Sequence, residues 1–245
     1  KNRHTVCISS QIGCSVDCSF CATGKMGIIR NLTTGEIIQQ LYVVNKNINE
    51  PITNIVFMGM GEPFLNYSNV IKACNIINDQ NGFNISSKKI TISTSGILPK
   101  IQKFIKDREK FKLAISLNAS NNLLRNKLIP INKKWPIESL IIELKKYKYN
   151  KYRPIMFEYV LMKNINDSKE DAESLIEILK DINCKINIIP YNDISKEYNR
   201  PDISKIENFA TILNNSNHQL KTFIRWSKGV DINAACGQLA TDNEL

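Results

Sequence analysis

The feature that most constrains the fold is a regular alternation of short apolar segments with amphipathic ones. Segments that read as buried strands lie at 54–61, 88–96, 110–119, 154–162, 184–192 and 220–226. Segments with helical spacing of apolar residues lie at 68–80, 98–108, 121–129, 136–148, 168–182 and 203–216. Near-continuous apolar strands separated by helices predict an α/β protein whose parallel sheet is covered on its faces.

The number of strand–helix units limits the architectures that the chain can form. About six strand–helix units fit one domain in a chain of 245 residues. We predict a partial (β/α)6-type barrel with a C-terminal strand and tail, and a doubly wound open sheet is the alternative. In both folds chemistry follows the carboxyl ends of the strands, where this chain carries the polar or glycine motifs GMGEP (59–63), STSG (93–96), SLNA (116–119) and PYN (190–192).

The charge of the chain leaves two interpretations of its surface open. Thirty-three Lys and Arg stand against 23 Asp and Glu, a formal net charge of +10. This excess fits a lysine-rich solvated surface, and it equally fits a polyanionic partner, most simply nucleic acid. No apolar run approaches the ~18 residues of a membrane helix, so no membrane association is expected.

Cysteine usage predicts the compartment. Seven cysteines, an odd number, in a chain of this length with no secretion signal favour a cytoplasmic metal or redox site over a disulfide scaffold. Cys74 lies in an apolar helical pattern and Cys184 just before a strand, so both are predicted to be structural. The chain opens on Lys1 rather than Met, from which we expect an N-terminal part to be missing.

The stretch CSVDCSFC (14–21) places Cys14, Cys18 and Cys21 in one loop, flanked by Gly13, Gly24 and Gly27. A 4Fe–4S cluster takes about one thiolate per iron, so three cysteines would leave one iron open to a substrate or cofactor. Three other interpretations remain: a zinc site with a distant fourth ligand, a closed electron-transfer cluster, and unrelated thiols. The distant ligands would come from His4, His218, Cys7 or Cys236.

This cysteine motif, with the aromatic Phe20 before its last member, resembles the radical S-adenosylmethionine (SAM) superfamily. In that superfamily the open iron binds the amino and carboxylate groups of SAM, and an electron from the cluster releases a 5′-deoxyadenosyl radical. Further blocks between residues 7 and 240, among them RNLTTGEI, NIVFMGMGEPFLN, ITISTSGI and GVDINAACGQLA, resemble the RlmN/Cfr family of radical SAM RNA methyltransferases. The resemblance covers nearly the whole chain.

The resemblance implies an activity and its partners. The reaction would add a methyl group to C2 of an adenine in 23S rRNA and tRNA, with C8 as the alternative position; Pro63 and the segment 184–192 favour C2. The implied cofactors are one 4Fe–4S cluster and two SAM molecules per turnover. An electron donor such as flavodoxin or ferredoxin is also implied. We further expect a monomer, a single core domain over residues 1–245, and no counterpart of the family's N-terminal accessory domain.

The resemblance also implies roles for single residues. The metal ligands would be Cys14, Cys18 and Cys21. The SAM contacts would be Gly61, Glu62, Ser93, Ser116, Leu117, Asn118 and Asn192, with Asn118 replacing the family's usual His. Cys236 would be methylated and then pass the carbon to RNA, and Cys7 would release the product by forming a disulfide with Cys236. A radical SAM activase or mutase without an RNA substrate, or an Fe–S electron-transfer module, remains the rival from another class.

Overall fold

The computed structural model describes residues 3–147, 153–192, 194–216, 220–227, 229 and 235–240. Its strands are β1 (Thr5–Ile8), β2 (Gln11–Gly13), β3 (Ile28–Asn31), β4 (Asn54–Phe57), β5 (Ile90–Thr94), β6 (Lys112–Ser116), β7 (Ile155–Leu161), β8 (Cys184–Pro190) and β9 (Lys221–Ile224). Its helices are α1 (Ala22–Lys25), α2 (Thr34–Asn47), α3 (Tyr67–Asn78), α4 (Leu98–Lys106), α5 (Asn122–Leu128), α6 (Ile137–Lys145), α7 (Lys169–Leu179) and α8 (Ile203–Asn214).

The strands form one large parallel sheet and one small hairpin. Seven strands pair in the order β1-β4-β5-β6-β7-β8-β9, and every pairing is parallel. The order rises steadily along the sheet, whereas a doubly wound sheet would reverse at a switch point. The remaining strands, β2 and β3, form a separate antiparallel pair, and β2 begins three residues after the end of β1. The doubly wound alternative is therefore wrong, and the partial barrel is confirmed.

A single side-chain contact shows how strongly the sheet curls. Arg225, directly after β9, donates from Nη1 to the sulfur of Met58, directly after β4, at 3.3 Å. Five strand spacings separate β4 from β9, which in a flat sheet would be about 24 Å. The carboxyl ends of these distant strands therefore face each other across the concave side of a half-barrel.

The hydrophobic core lies between the convex face of the sheet and the helices. Alternate strand residues such as Ile90 and Ile92 of β5 are fully buried there, against helix residues such as Phe104 of α4. The other alternate residues face the concave side, where Ser93 and Ser116 are found. Function is thereby left to the concave face and to the loops at its upper edge.

The six strands and six helices expected from periodicity are all present, with shorter strands than the apolar runs suggested. The run 54–61, for example, forms a strand only over Asn54–Phe57, and the glycines that follow belong to the loop after it. Five elements were missed: β1, β2, β3, α1 and α2. Within the described ranges, every helix falls short of the length and apolarity that a membrane crossing requires.

Candidate active site

One cavity at the carboxyl ends of the strands gathers most of the residues that the sequence singled out. Ten of the twelve line it: Cys14, Cys18, Cys21, Gly61, Glu62, Ser93, Ser116, Asn118, Asn192 and Cys236. The cavity measures about 170 Å³. A larger groove of about 650 Å³ lies between α3 and α4 and contains none of these residues. We take the smaller cavity as the candidate site because the chemistry converges there.

The cysteine loop is a tight structure closed by backbone hydrogen bonds. The N–H of Cys14 donates to the Gly27 carbonyl at 2.8 Å, and the N–H of Cys21 donates to the Cys18 carbonyl at 3.1 Å. The loop is tied to the barrel by a third bond, from the N–H of Ser19 to the Leu128 carbonyl at 3.0 Å. The three thiols are therefore carried by one preformed loop that faces the cavity.

The electrostatics of the Cys14 and Cys18 thiols suit a bound cation. Burial raises the pKa of Cys14 to about 11, opposed by a hydrogen bond from the Val16 backbone, with the charges of Glu62 and Cys21 adding to the rise. The pKa of Cys18 also lies well above 9.0, chiefly because of burial and then because of Cys21 and Cys14. Bound iron would lower both pKa values by stabilising the thiolates.

The donor set fits an iron–sulfur cluster better than a single ion. Among the described residues, no three His, Cys, Asp or Glu side chains converge to hold one metal ion. In a 4Fe–4S cluster each thiolate binds a different iron, so the ligands need not meet at a point. Three thiols that lie on one loop and face one cavity meet that requirement.

Glu62 is a buried carboxylate held in place by backbone groups. It is 3% exposed. The N–H groups of Phe64 and Ser95 donate to its two oxygens at 2.9 and 2.6 Å, and its own N–H donates to Gln11 Oε1 at 2.7 Å. Burial raises its pKa above 4.5 and these N–H groups oppose the rise. A fixed carboxylate of this kind is suited to an ammonium ligand.

Gly61 allows this arrangement because no side chain fits at its position. Its φ is +96°, a conformation that residues with a side chain rarely adopt. A Cβ there would lie 2.5 Å from Gln11 Cβ and 2.8 Å from the Gln11 nitrogen. The GMGEP loop can therefore approach β2 closely enough for Gln11 to bond Glu62.

Three further predicted contacts, Ser93, Ser116 and Asn118, line the cavity at the carboxyl ends of β5 and β6. Asn118 has φ +56°, which asparagine tolerates. Its Oδ1 accepts the N–H of Val160 at 2.8 Å. Leu117 differs from the other predicted contacts, because its side chain is 1% exposed and belongs to the hydrophobic core. Leu117 does not line the cavity, and its backbone N–H and carbonyl bond the Glu158 carbonyl and Arg125.

The segment 235–240 closes the cavity from the far end of the chain. The N–H of Ala22 donates to the Gly237 carbonyl at 2.8 Å, and Thr23 Oγ1 donates to the Leu239 carbonyl. Asn192 Nδ2 donates to the Cys236 carbonyl at 3.0 Å. Cys236 is therefore placed beside the cysteine loop, although it is remote from that loop in sequence.

Cys7 lies outside the cavity, in a shallow groove beside α2. The residue is exposed, yet burial of its thiol raises its pKa to about 11, with the charge of Cys236 as the second cause. Exposure of the residue is expected because, among the described strands, β1 lies at the sheet edge and pairs only with β4, so we take burial as the property of the thiol itself. All seven cysteines are free, so the implied Cys7–Cys236 disulfide is not present.

Two functional candidates were missed from the sequence. Glu158 of β7 is 4% exposed and lines the cavity, and burial raises its pKa above 4.5. Arg225 lines the same cavity and lowers the pKa values of Glu158, Cys236 and Cys7. Glu158 could have been identified from the sequence, since it is a lone charged residue inside the apolar run 154–162.

Comparisons with known proteins agree with this geometry. The radical SAM superfamily model matches residues 8–187. The chain is 50% identical over 244 residues to a probable dual-specificity RNA methyltransferase RlmN of Dictyoglomus turgidum, covering 98% of this chain and 69% of that protein. It is 47% identical over 246 residues to the RlmN of Vesicomyosocius okutanii, covering 98% of this chain and 68% of that protein.

A solved structure gives the same result in three dimensions. The crystal structure of a radical SAM methyltransferase from Sphaerobacter thermophilus superposes with a TM-score of 0.91 at 42% identity. The match covers 96% of this chain and 70% of that one. Matches of this extent over the cysteine loop, the half-barrel and the closing segment place the chain in the RlmN family of the radical SAM superfamily.

Proposed function

We propose that this protein is a radical SAM methyltransferase that adds a methyl group to C2 of adenine in 23S rRNA and tRNA through a methylated Cys236. The observation that carries the proposal is the convergence of Cys14, Cys18, Cys21, Glu62 and Cys236 on one cavity. An electron-transfer module needs no cysteine beyond its cluster ligands, and an activase needs no methyl-accepting thiol. The placement of Cys236 therefore supports methyl transfer over both rivals.

The cofactor end of the site is assigned to the cysteine loop and Glu62. Cys14, Cys18 and Cys21 would hold three irons of one 4Fe–4S cluster. Glu62 would accept hydrogen bonds from the ammonium of SAM, with its carboxylate already oriented by the N–H groups of Phe64 and Ser95. When bound, the cluster and SAM supply an electron and a carbon-centred radical.

The methyl-accepting end is assigned to Cys236 and the residues that act on it. Burial raises the pKa of Cys236, and the Arg225 guanidinium is the first factor that lowers it. Arg225 thus favours the thiolate, the form in which a cysteine accepts a methyl group. Asn192 fixes the backbone of this residue. Cys7 would then attack the Cys236 sulfur as a thiolate: the S–S bond would form while the bond from that sulfur to the RNA-linked CH2 breaks, and the carbon would keep the electron pair and take a proton to become the methyl group.

A basic surface on the concave face supports an RNA substrate. The pKa of Lys112 is lowered first by burial and then by the charges of Arg3, Lys185 and Arg153. Among the described residues, none of these four cations forms an ion pair. Clustered cations without acidic partners attract a polyanion such as the phosphate backbone.

This surface continues the wall of the cavity. Lys112 and Ser116 are four residues apart on β6, so they share the concave face at a separation of about 13 Å. An exposed aromatic residue, Phe223 of β9, lies there as well, with Lys185 Nζ 5.8 Å from its ring centroid. A nucleic-acid strand that reaches the cavity would have phosphate and stacking contacts along this face.

The proposal includes several finer assignments. Each turnover would use two SAM molecules, one to methylate Cys236 and one for the radical step. A flavodoxin or ferredoxin would supply the electron, and the protein would act as a cytoplasmic monomer. Residues 1–245 are assigned to a single core domain. Gel filtration and reduction of the cluster by each donor protein would examine these points.

The activity can be tested on the product nucleoside. The full chain is reconstituted anaerobically with iron and sulfide, then incubated with SAM, dithionite and either tRNA or a 23S rRNA fragment. The RNA is digested to nucleosides and compared with 2-methyladenosine and 8-methyladenosine standards. We expect 2-methyladenosine, and a methyl group on the Cys236 peptide of the purified enzyme.

Cysteine variants provide the matched controls. Cys236→Ala removes the methyl acceptor, so methylated adenosine should disappear. Cys184→Ala removes a buried thiol at the start of β8 that does not line the cavity, so activity should remain. Methylation that survives Cys236→Ala would overturn the proposed route, and 8-methyladenosine as the product would reassign the target atom.

A further inference from the structure

Arg125 of α5 is a fully buried cation beside the candidate site, with 0% of its surface exposed. Its guanidinium donates four hydrogen bonds, all to neutral oxygens. Nε bonds the Leu117 carbonyl at 3.0 Å, and Nη1 bonds Asn132 Oδ1 at 2.8 Å. Nη2 bonds the carbonyls of Ser95 and Ser116 at 2.6 and 2.9 Å.

The charge of Arg125 is not neutralised within the described part of the protein. No described Asp or Glu forms an ion pair with it. Burial lowers its pKa to about 10, which still leaves it charged at neutral pH. An uncompensated buried charge is costly, and neutral carbonyl dipoles offset only part of that cost. We therefore expect a negative charge close to Arg125.

The cysteine loop can supply that charge when its thiolates hold a cluster. The helix of Arg125 abuts this loop, because the N–H of Ser19 donates to the Leu128 carbonyl at the end of α5. Cys18 also packs in one apolar cluster with Leu124 and Leu128.

We propose that Arg125 is the buried counter-charge of the iron–sulfur cluster held by Cys14, Cys18 and Cys21. The inference rests on the cluster assigned under the proposed function. A fixed cation stabilises the more negative, reduced form of a cluster more than its oxidised form. Because net charge around a cluster helps to set its potential, Arg125 should raise the reduction potential.

The same side chain positions the residues around the cavity. Nη2 holds the carbonyl of Ser95, whose N–H donates to Glu62 at 2.6 Å, so one residue separates Arg125 from the buried carboxylate. The bonds to Ser116 and Leu117 fix the end of β6 in the same way. Lysine would keep the charge but cannot reproduce a planar fork of four bonds.

The two roles predict different behaviour for three variants. Arg125→Gln removes the charge, Arg125→Lys keeps it with fewer bonds, and Asn132→Ala removes one neutral acceptor. The full chain carrying each substitution is reconstituted anaerobically. Iron content, the midpoint potential of the cluster from an EPR-monitored redox titration, and the urea midpoint of the apoprotein are then measured.

We expect the potential to become more negative in Arg125→Gln and to stay at the wild-type value in Arg125→Lys and Asn132→Ala. The apoprotein should lose stability in Arg125→Lys. An unchanged potential in an iron-replete Arg125→Gln protein would overturn the inference and leave the proposed function intact. If Arg125→Gln does not fold, Arg125→Lys is the deciding variant. A cluster potential that falls in Arg125→Lys together with the stability of the apoprotein would assign the effect to packing and overturn the inference. A wild-type chain that takes up no cluster would overturn both proposals.

Discussion

Replacing Gly61 by alanine should lower the free energy of unfolding more than the same change at a glycine whose added Cβ would meet no neighbour, for two separable reasons. The backbone at Gly61, with φ +96°, would strain an alanine by about 1–3 kcal/mol. The added Cβ would also lie 2.5 Å from Gln11 Cβ, and overpacking of this kind costs about 1–3 kcal/mol. Together the loss is about 2–6 kcal/mol, a large part of the 5–15 kcal/mol that stabilises a typical domain.

Gly27 offers a matched control, because it isolates the backbone cost. Its φ is +70°, and an added Cβ would meet nothing within 4 Å. Gly27→Ala should therefore lose only about 1–2 kcal/mol. With a urea m-value of about 3 kcal/mol/M, the midpoint should fall by roughly 0.3–0.7 M in Gly27→Ala and by roughly 0.7–2 M in Gly61→Ala.

The measurement is urea unfolding of both apoproteins, followed by circular dichroism. A Gly61→Ala midpoint no lower than that of Gly27→Ala would show that β2 yields easily to the new methyl group. The close approach of the GMGEP loop to Gln11 would then not be what fixes Glu62, and the account of Gly61 given above would be refuted.

Three further outcomes follow from buried and charged side chains. The folded pKa of Glu158 is raised above 4.5, so the free energy of unfolding should fall as pH rises from 4.5 through that raised pKa, and Glu158→Gln should flatten the fall seen in urea titrations. Replacing both Lys112 and Lys185 by glutamine should reduce the slope of log K against log salt for single-stranded RNA by roughly 1.4, and an unchanged slope would place the phosphates elsewhere. Phe104→Ala, at a fully buried position, should cost about 3–5 kcal/mol in unfolding experiments, while Ile142→Ala, 62% exposed, should cost less than about 0.5 kcal/mol.

The outer helices and the central strands were predictable because each buries a regular pattern. The helix 98–108, for example, repeats its apolar residues at helical spacing and starts with Pro99 in its first turn. The short strands gave no such pattern, since all four residues of β3 are exposed and β2 has only three residues. The helix α2 did carry a signal, the capping box formed by Thr33 and Glu36, which periodicity alone overlooked.

The residues of the candidate site also differ in how far the local sequence could predict them. Local motifs pointed to Cys14, Glu62 and Ser93, because each stands beside glycines or at a strand end. The roles of Cys236 and Asn192 came only from the resemblance, since their hydrogen bond joins two segments that no local pattern connects. Arg225 contacts Met58 across the curl of the sheet, an approach that depends on the tertiary fold. Sequence periodicity carries no information about such a distance.

The docking of the segment 235–240 against the cysteine loop sets an order of events during synthesis. Thr23 and Leu239, which are hydrogen-bonded, lie 216 residues apart in the chain. At 5–20 residues per second, a ribosome makes the second roughly 10–40 s after the first. Throughout that interval Cys14, Cys18 and Cys21 exist without the segment that later covers them. Iron delivered to the nascent chain would meet an uncovered loop, so productive cluster assembly is expected to follow closure of the barrel.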